Sequence, residues 1–335
     1  MMFPASTFFF FSTLFLGIIL TISSTSWFNI WVGLELNMMS FIPLITIKMN
    51  SYFSESALKY FLIQALGSTL FIMASCFFFS FPLLSSSLIL MSLFLKLGSA
   101  PFHFWFPQVM SGLTWPQTIL LMTIQKIAPM VLISYLTLLK PSLQIISLSA
   151  MLSALIGALG GLNSMQLRKI MAFSSINHMS WMLISLTVSD LFWTIYFLFY
   201  TLISISIITL FNMTQAFTLL DLMKFNQINL TYTLLIPMNL LSLGGLPPFT
   251  GFIPKWMLIQ LLINNKIFFP LFFFLLSALI TLYFYLRITI FFFLLFNTPS
   301  ITNMKPYYSL ISMFPPKFLY FNLFMFFFPF MFFSF

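Results

Sequence analysis

Long apolar stretches alternate with short polar interruptions along the whole chain. A helix needs about 20 apolar residues to cross the hydrocarbon core of a bilayer, and stretches of that length recur from end to end. We predict eleven spans, at residues 3–22, 27–47, 57–80, 83–107, 115–139, 142–162, 169–189, 191–211, 231–263, 268–296 and 308–335. Barrel strands would alternate polar with apolar residues, and these runs do not alternate. The pattern therefore predicts an all-α membrane protein with about eleven transmembrane helices.

Two of the predicted spans contain helix-breaking residues. Gly98 and Pro101 interrupt the fourth span, and residues 244–248 (Gly-Gly-Leu-Pro-Pro) interrupt the ninth. Proline removes a backbone donor and glycine weakens a helix, so we expect two broken helices.

The positions of the breaks also indicate an internal repeat, because they lie five spans apart. A unit of five spans that is repeated once reverses its orientation in the membrane, as the inverted repeats of transporters do. We therefore expect residues 1–335 to form a single transmembrane domain with two inverted five-helix repeats. The first would cover about residues 1–140, the second about 141–296, and a last helix at 308–335 would be appended.

Composition excludes several classes of function. Hydrophobic residues make up 61% of the chain and charged residues 5%, whereas roughly a quarter of a soluble domain is charged. The net charge of +9 is scattered between apolar runs rather than gathered as in a nucleic-acid-binding patch. Cys76 is the one cysteine, and no Gly-x-Gly-x-x-Gly loop is present to hold a dinucleotide. We expect no cofactor, no metal and no nucleic acid bound by this chain.

Several ionisable residues fall inside the predicted spans, where each costs about 2.5–3.5 kcal/mol on insertion scales. Glu35 lies eight residues into the second span, about 12 Å deep at 1.5 Å per residue. Near the middle of the fourth, fifth and seventh spans, or after a break, lie Lys96, Lys126, His178, Lys255 and His103. We interpret all six as candidates for proton transfer. The alternative for each is a structural ion pair or a side chain buried by packing.

Among these candidates, Glu35 and Lys96 have opposite charges at similar depth, so we expect them to pair and to switch. The other acids, Glu55, Asp190 and Asp221, are predicted at span ends. Desolvation disfavours an ammonium group, so a lysine buried away from carboxylates can exchange its proton. Lys126 is therefore the candidate proton carrier.

Three segments of the chain resemble a known family. They are residues 96–105 with 125–129, residues 160–163 with 166–179, and residues 243–252 with 254–256. In this order they resemble the first broken helix with the helix after it, the middle segment, and the second broken helix of the antiporter-like membrane subunits of respiratory complex I. The long form of that family has fourteen helices, so the chain is expected to lack the first three. Contacts of those helices would be absent or supplied by other subunits.

The resemblance implies a function. A core membrane-arm subunit of proton-pumping NADH:ubiquinone oxidoreductase would translocate protons along an axis of Glu35, Lys96, Lys126 and Lys255. Quinone reduction elsewhere in the complex would drive the transfer, and other subunits would hold FMN, iron–sulfur clusters and ubiquinone. The expected partners are other membrane-arm subunits, sibling antiporter-like chains among them, and lipids such as cardiolipin.

Charge also predicts location and orientation. The start of the chain lacks the basic segment of a secretory signal and the Arg-rich pattern of a transit peptide, which fits synthesis inside the organelle and the mitochondrial inner membrane. Loops after even-numbered spans carry Lys48, Arg168, Lys169, Lys224 and Lys305, with Lys59 close by, whereas loops after odd-numbered spans carry Lys140 and Lys266. The positive-inside rule then places the N-terminus in the matrix and the C-terminus in the intermembrane space.

Two alternatives stay open at this point. A free-standing cation/proton antiporter would share the broken helices, and a purely structural membrane subunit would hold inert charge pairs. A Na⁺ carrier would need several oxygen ligands, and one acid is predicted to lie deep in the membrane.

Overall fold

The computed structural model of the protein describes residues 5–46, 50–78, 80–138, 140–224 and 230–294. The helices in these ranges are α1 (Ala5–Ser23), α2 (Trp27–Ile45), α3 (Ser51–Cys76), α4 (Pro82–Leu97), α5 (Trp105–Gly112), α6 (Trp115–Met122), α7 (Ile124–Leu136), α8 (Lys140–Leu162), α9 (Leu167–Leu186), α10 (Asp190–Thr214), α11 (Leu219–Lys224), α12 (Leu230–Gly244), α13 (Phe252–Asn264) and α14 (Phe268–Leu294). The strand-like pairing within these ranges is an isolated antiparallel bridge between Gln166 and Thr218.

Seven of the described helices, counting α6 and α7 as one, are long and apolar enough to cross a membrane. Three further apolar helices are shorter, and they are α4, the part of α12 from Leu235 to Gly244, and α13. The short helices flank the two predicted breaks, which explains why they do not reach the length of a full span. The prediction of an all-α membrane protein is confirmed. The total of eleven spans stays a prediction, and the helix predicted at 308–335 lies outside the described residues.

Several predicted boundaries were wrong. The third helix begins at Ser51 and ends at Cys76 instead of covering 57–80, because an apolar pattern does not detect its polar first turns, which contain the Lys59–Glu55 ion pair of 2.6 Å. The fifth predicted span is divided into α6 and α7 at Thr123, whose backbone departs from the helical geometry (φ −113°, ψ −74°). The loop predicted at 212–230 contains the short helix α11.

The described chain forms two compact units. One comprises the described residues up to Ser153 together with 183–190, and the other comprises 154–182 together with the described residues from Leu191 to Leu294. The division of the sequence into two inverted repeats stays a prediction.

Within the first unit, α1 and α2 pack with their backbones in close approach. A Cβ atom at Gly33 would lie 2.6 Å from the Thr21 Cγ2 atom and 2.9 Å from the Gly17 carbonyl oxygen. Small residues allow such close packing between membrane helices. The C-terminal end of α2 is fixed as well, since the Gln117 side chain donates to the Leu44 carbonyl at 2.7 Å. These contacts hold in place the helix that carries Glu35.

Within the second unit, α14 packs beside α12 and α13. Trp181 of α9 contacts Phe274 of α14, with ring centroids 5.0 Å apart. Both side chains are fully buried. The core of this unit therefore includes the contact between α9, which carries His178, and α14.

Candidate functional site

The first break follows α4 and confirms the broken helix predicted in the fourth span. Gly98 adopts the left-handed conformation (φ 71°) that commonly ends a helix, and the backbone N–H groups of Gly98 and Ser99 both donate to the Phe94 carbonyl. The Trp105 indole donates to the Leu95 carbonyl at 3.0 Å. The backbone carbonyl groups at the end of α4 thus accept hydrogen bonds from within the protein, as a lipid environment requires.

Lys96 lies in the last turn of α4 and is 8% exposed. Its backbone carbonyl accepts a hydrogen bond of 3.2 Å from the Gln64 side chain. Its side-chain stem passes Gly67, where a Cβ atom would lie 3.2 Å from the Lys96 Cγ atom. The C-terminal end of a helix carries partial negative charge, which favours a cation there. Lys96 is therefore buried at a helix end whose partial charge favours a cation.

Lys126 lies in the first turn of α7, directly after the interruption at Thr123, and is 2% exposed. The Thr123 hydroxyl donates to the Ile119 carbonyl at 2.7 Å. The Lys126 Nζ atom lies 5.3 Å from the centroid of the Phe106 ring, a distance at which a cation is attracted to an aromatic face.

A small cavity of about 20 Å³ has both Lys96 and Lys126 in its wall. That volume is enough for about one water molecule. A polar chain forms part of the same wall, because the Gln125 amide donates to the Asn37 side chain at 2.9 Å and accepts from the Tyr60 hydroxyl at 3.3 Å. The cavity therefore offers a polar space between two buried amines.

Glu35 is placed on α2 and is partly exposed within the described chain. Its negative charge acts on the Lys96 amine and on the Tyr60 hydroxyl. The direct ion pair that we predicted between Glu35 and Lys96 is wrong for this structure, since the pair within 4 Å among the described residues is Lys59–Glu55. The physical reason is that the Lys96 stem lies along α3 at Gly67. Glu35 acts on Lys96 without contact.

His103 lies in the segment between α4 and α5 and is 7% exposed. Its Nδ1 atom lies 3.2 Å from the Pro101 carbonyl oxygen, to which it donates. Its ring stacks on Phe104 at a centroid distance of 4.0 Å. Residues of the first break, Pro101 and Phe104, thus fix the position of the His103 ring.

The second break separates α12 from α13 and confirms the broken helix predicted in the ninth span. Lys255, in the first turn of α13, is 5% exposed. Its amine donates to the Gly244 carbonyl at 2.8 Å. Gly245 follows with φ +80°, and a Cβ atom there would lie 2.9 Å from the Lys255 Cδ atom. The lysine therefore caps the helix that precedes the break, where the partial charge is negative.

His178 is placed on α9 and is 6% exposed. Its Nδ1 atom lies 2.9 Å from the Tyr196 hydroxyl, and its ring centroid lies 5.2 Å from that of Tyr200. Both tyrosines are on α10. The histidine is thus part of a buried polar cluster.

Residues 24–82 and 80–281 match the family described as NADH:quinone oxidoreductase/Mrp antiporter, TM. The chain belongs to this family. The match covers both breaks and all six candidate residues.

Relatives in the NADH:quinone oxidoreductase/Mrp antiporter family include two animal proteins. The chain is 48% identical over 285 residues to NADH-ubiquinone oxidoreductase chain 2 of Anopheles gambiae, with 82% of each chain covered. It is 41% identical over 292 residues to the protein of the same name from Hylobates lar, with 83% of each chain covered. The resemblance to complex I membrane subunits is confirmed.

Solved structures share the fold. A chain of respiratory complex I from Thermus thermophilus superposes with a TM-score of 0.82 and 24% identity, covering 96% of this chain and 76% of that one. A chain of the Mrp complex from Dietzia superposes with a TM-score of 0.73 and 15% identity, covering 82% of this chain and 58% of that one. At these identities the likeness shows the fold alone.

The candidate residues of this family member divide between the two units. Glu35, Lys96, Lys126 and His103 belong to the first unit, and Lys255 and His178 belong to the second. Sequence reasoning missed the polar neighbours, which are Asn37, Tyr60, Gln125, Tyr196 and Tyr200. Polar residues inside spans were a usable signal for Asn37 and Gln125. In the described part of the chain, no three His, Cys, Asp or Glu side chains come together as metal ligands would.

Proposed function

We propose that this protein is a core membrane-arm subunit of a proton-pumping NADH:ubiquinone oxidoreductase. The observation that carries the proposal is the cavity shared by Lys96 and Lys126, deep among apolar helices. The names of the relatives support the assignment to that enzyme. Quinone reduction elsewhere in the complex drives the transfer, and other subunits hold FMN, iron–sulfur clusters and ubiquinone.

The first unit supplies one transfer step. A protonated Lys126 gives its proton to a water in the cavity, and that water gives one of its protons to a neutral Lys96. One proton has then moved, and the water is unchanged. The Asn37–Gln125–Tyr60 chain orients the water, because amide and hydroxyl groups offer both donors and acceptors.

Glu35 tunes this step through its charge. Its field favours a cation on Lys96, and an ammonium on Lys96 repels a proton on Lys126, since like charges in a poorly screened interior interact strongly. A coupling of about 1–3 kcal/mol between linked sites shifts proton affinity by about five- to 150-fold. A change in the position of Glu35 would therefore move the proton between the two lysines.

The second unit contributes Lys255 and His178, and His103 at the first break is a further member of the path. Histidine is suited to a relay because it can bind and release a proton near neutral pH. Lys255 joins Glu35, Lys96 and Lys126 in the proposed charged axis, and His178 and His103 are further candidates for proton transfer.

The location follows from the same proposal. The protein spans the mitochondrial inner membrane with its N-terminus in the matrix and its C-terminus in the intermembrane space. Its partners are other membrane-arm subunits, sibling antiporter-like chains among them. Lipids such as cardiolipin cover the exposed apolar faces.

A free-standing cation/proton antiporter is the second candidate, because the fold also matches a chain of an Mrp complex. Solubilised membranes separate the two proposals. We expect this chain to comigrate with NADH oxidation on a native gel and to be absent from smaller particles. A chain that migrates apart from NADH oxidation would favour the antiporter.

Lys126→Ala tests proton transfer itself. The substitution removes the amine and keeps a good helix former, so the complex should assemble while proton pumping falls by about 100-fold or more, the scale of a lost acid–base group. The measurement is vesicle acidification driven by NADH and a quinone, at equal amounts of assembled complex. Lys59→Ala is the matched control, because Lys59 lies at the surface in an i,i+4 pair. Normal pumping in Lys126→Ala would refute the role of this lysine.

A further inference from the structure

The side chain of Gln117 connects the start of α6 to the end of α2. Its amide nitrogen donates to the Leu44 carbonyl at 2.7 Å and to the Ile45 carbonyl at 3.1 Å. Its amide oxygen accepts from the Thr114 backbone N–H at 2.8 Å. The residue is 7% exposed. One buried amide group thus caps the start of α6 and also donates to the end of α2.

The carbonyl groups that Gln117 binds are ones that α2 cannot satisfy by itself. The last four carbonyl groups of a helix have no partner within that helix. The Thr46 N–H donates to the first of them, that of Ile42. Leu44 and Ile45 follow in the last turn, at 1% and 0% exposure. Since a buried carbonyl group without a partner is costly, the Gln117 amide favours keeping the end of α2 where it is.

A second amide side chain joins the same two parts of the fold. The Gln125 amide of α7 donates to the Asn37 side chain of α2 at 2.9 Å. Leu44 follows Asn37 by seven residues, and Gln117 precedes Gln125 by eight residues. The two links are therefore about two helical turns apart on both sides. Two links at that separation fix the distance between α2 and α6–α7 and hinder one from sliding along the other.

The cavity that Lys96 shares with Lys126 lies where α2 faces α6–α7. Its wall includes Leu34, Asn37 and Met38 from α2, and Leu121, Gln125 and Lys126 from α6–α7. Gln117 lies outside this wall, one helical turn before Leu121 and on the same face of the helix. The cavity volume is about 20 Å³, so there is room for about one water molecule. The separation of the two sides therefore decides whether a water fits between them.

We propose that Gln117 is a positioning residue, which sets the width of this cavity by holding the end of α2 to the start of α6. The proposal rests on the proposed function and adds to it a residue that lies outside the cavity wall. Transfer through one water requires that both lysines stay within reach of that water. A misplacement of about 1 Å can slow a reaction by about 100-fold. Gln117 therefore acts on proton transfer through the position of α2 relative to Lys126.

Gln117→Glu separates this role from simple capping of α6. Glutamate keeps an oxygen that accepts from the Thr114 N–H, and it serves in a capping box as glutamine does. An ionised carboxylate cannot donate to the Leu44 and Ile45 carbonyls. We expect NADH-driven acidification of vesicles, at equal amounts of assembled complex, to fall by about 100-fold. The fall should be smaller in acidic medium, since a protonated carboxyl group is again a donor.

Gln117→Met is the second variant, because methionine keeps the length of the side chain and removes the amide. Acidification should fall by a similar factor, about 100-fold, with no recovery in acidic medium. Gln108→Glu and Gln108→Met are the matched controls, because Gln108 is exposed on α5 of the same unit. Both controls should match the unaltered complex in alkaline and in acidic medium.

The results of these variants decide the role of Gln117. Loss in Gln117→Glu with recovery in acidic medium, together with loss without recovery in Gln117→Met, supports the positioning role. Normal acidification by Gln117→Glu at every pH assigns the residue to the capping of α6 and overturns that role. A loss in Gln117→Glu that does not depend on pH also overturns it. So does a failure of both variants to assemble, which is what a purely structural residue predicts.

Lys126→Ala, measured alongside, tests the proposed function separately. Loss of acidification in Lys126→Ala with normal acidification in both Gln117 variants overturns the positioning role and leaves the proposed function in place. Normal acidification in Lys126→Ala overturns the proposed function, and with it the role of Gln117 in proton transfer.

Discussion

At the scale of single residues, the buried lysines lie at helix ends opened by a break or an interruption. Lys96 lies in the last turn of α4, and Lys255 donates to the last carbonyl of α12. Both amines therefore meet partial negative charge from a helix C-terminus. Lys126 lies at the opposite kind of end, the start of α7, and meets the face of Phe106 instead. Lys126 therefore differs from Lys96 and Lys255 in its electrostatic surroundings.

Glu35→Gln tests the action of Glu35 from a distance. The substitution keeps the shape of the side chain and removes the charge, so Lys96 loses a favourable field while no contact is broken. We expect assembly to be unchanged and NADH-driven pumping to fall by about fivefold or more, in line with the coupling of linked sites. Glu55→Gln is the control, because Glu55 is exposed on α3. Equal pumping in the two variants would show that Glu35 does not couple to the lysines.

At the scale of elements, the two breaks determine where the candidate lysines lie as well as where the helices end. The second break needs Gly245, where φ is +80° and a side chain would meet Lys255. A residue with a Cβ atom is strained in the left-handed region by roughly 1–2 kcal/mol. The backbone conformation and the position of the lysine therefore depend on the same glycine.

Gly245→Ala should displace the Lys255 amine from the Gly244 carbonyl. We expect lower pumping and a complex less stable by about 1–2 kcal/mol, the cost of the strained conformation. Thermal unfolding of the purified complex and vesicle acidification measure the two effects. Gly244→Ala is the matched control, because a Cβ atom there meets the Tyr285 ring at an ordinary 3.5 Å. A similar result for both variants would contradict this account of Gly245.

The breaks were predictable from sequence because glycine and proline act locally, through their own backbones. The candidate lysines were predictable for a similar reason, because a charged residue inside an apolar run can be recognised from the sequence without knowing which residue it contacts. The interruption at Thr123 was missed because threonine does not by itself end a helix. The tyrosines beside His178 were missed because their proximity depends on α9 and α10 meeting in the fold, and a sequence gives no distance between His178 and Tyr196.

At the scale of the whole molecule, the orientation in the membrane is the prediction to test. The excess of Lys and Arg in loops after even-numbered spans predicts a matrix N-terminus. With eleven spans, a tag after Phe335 should be accessible from the intermembrane space in intact mitoplasts. A tag before Met1 should become accessible when the inner membrane is opened. A C-terminal tag reached from the matrix alone would contradict both the orientation and the odd number of spans.

The backbone bridge between Gln166 and Thr218 limits how many times the chain between these two residues can cross the membrane. The Leu167 N–H donates to the Phe217 carbonyl, the Leu219 N–H donates to the Met165 carbonyl, and the Arg168 guanidinium covers the Phe217 ring at 4.8 Å. Segments that share backbone hydrogen bonds must be on one side of a bilayer. The number of times that the chain between them, which is α9 and α10, crosses the membrane is therefore even. Reporter groups at Met165 and Leu220, both largely exposed, should respond to a membrane-impermeant reagent from the same compartment, whichever compartment that is.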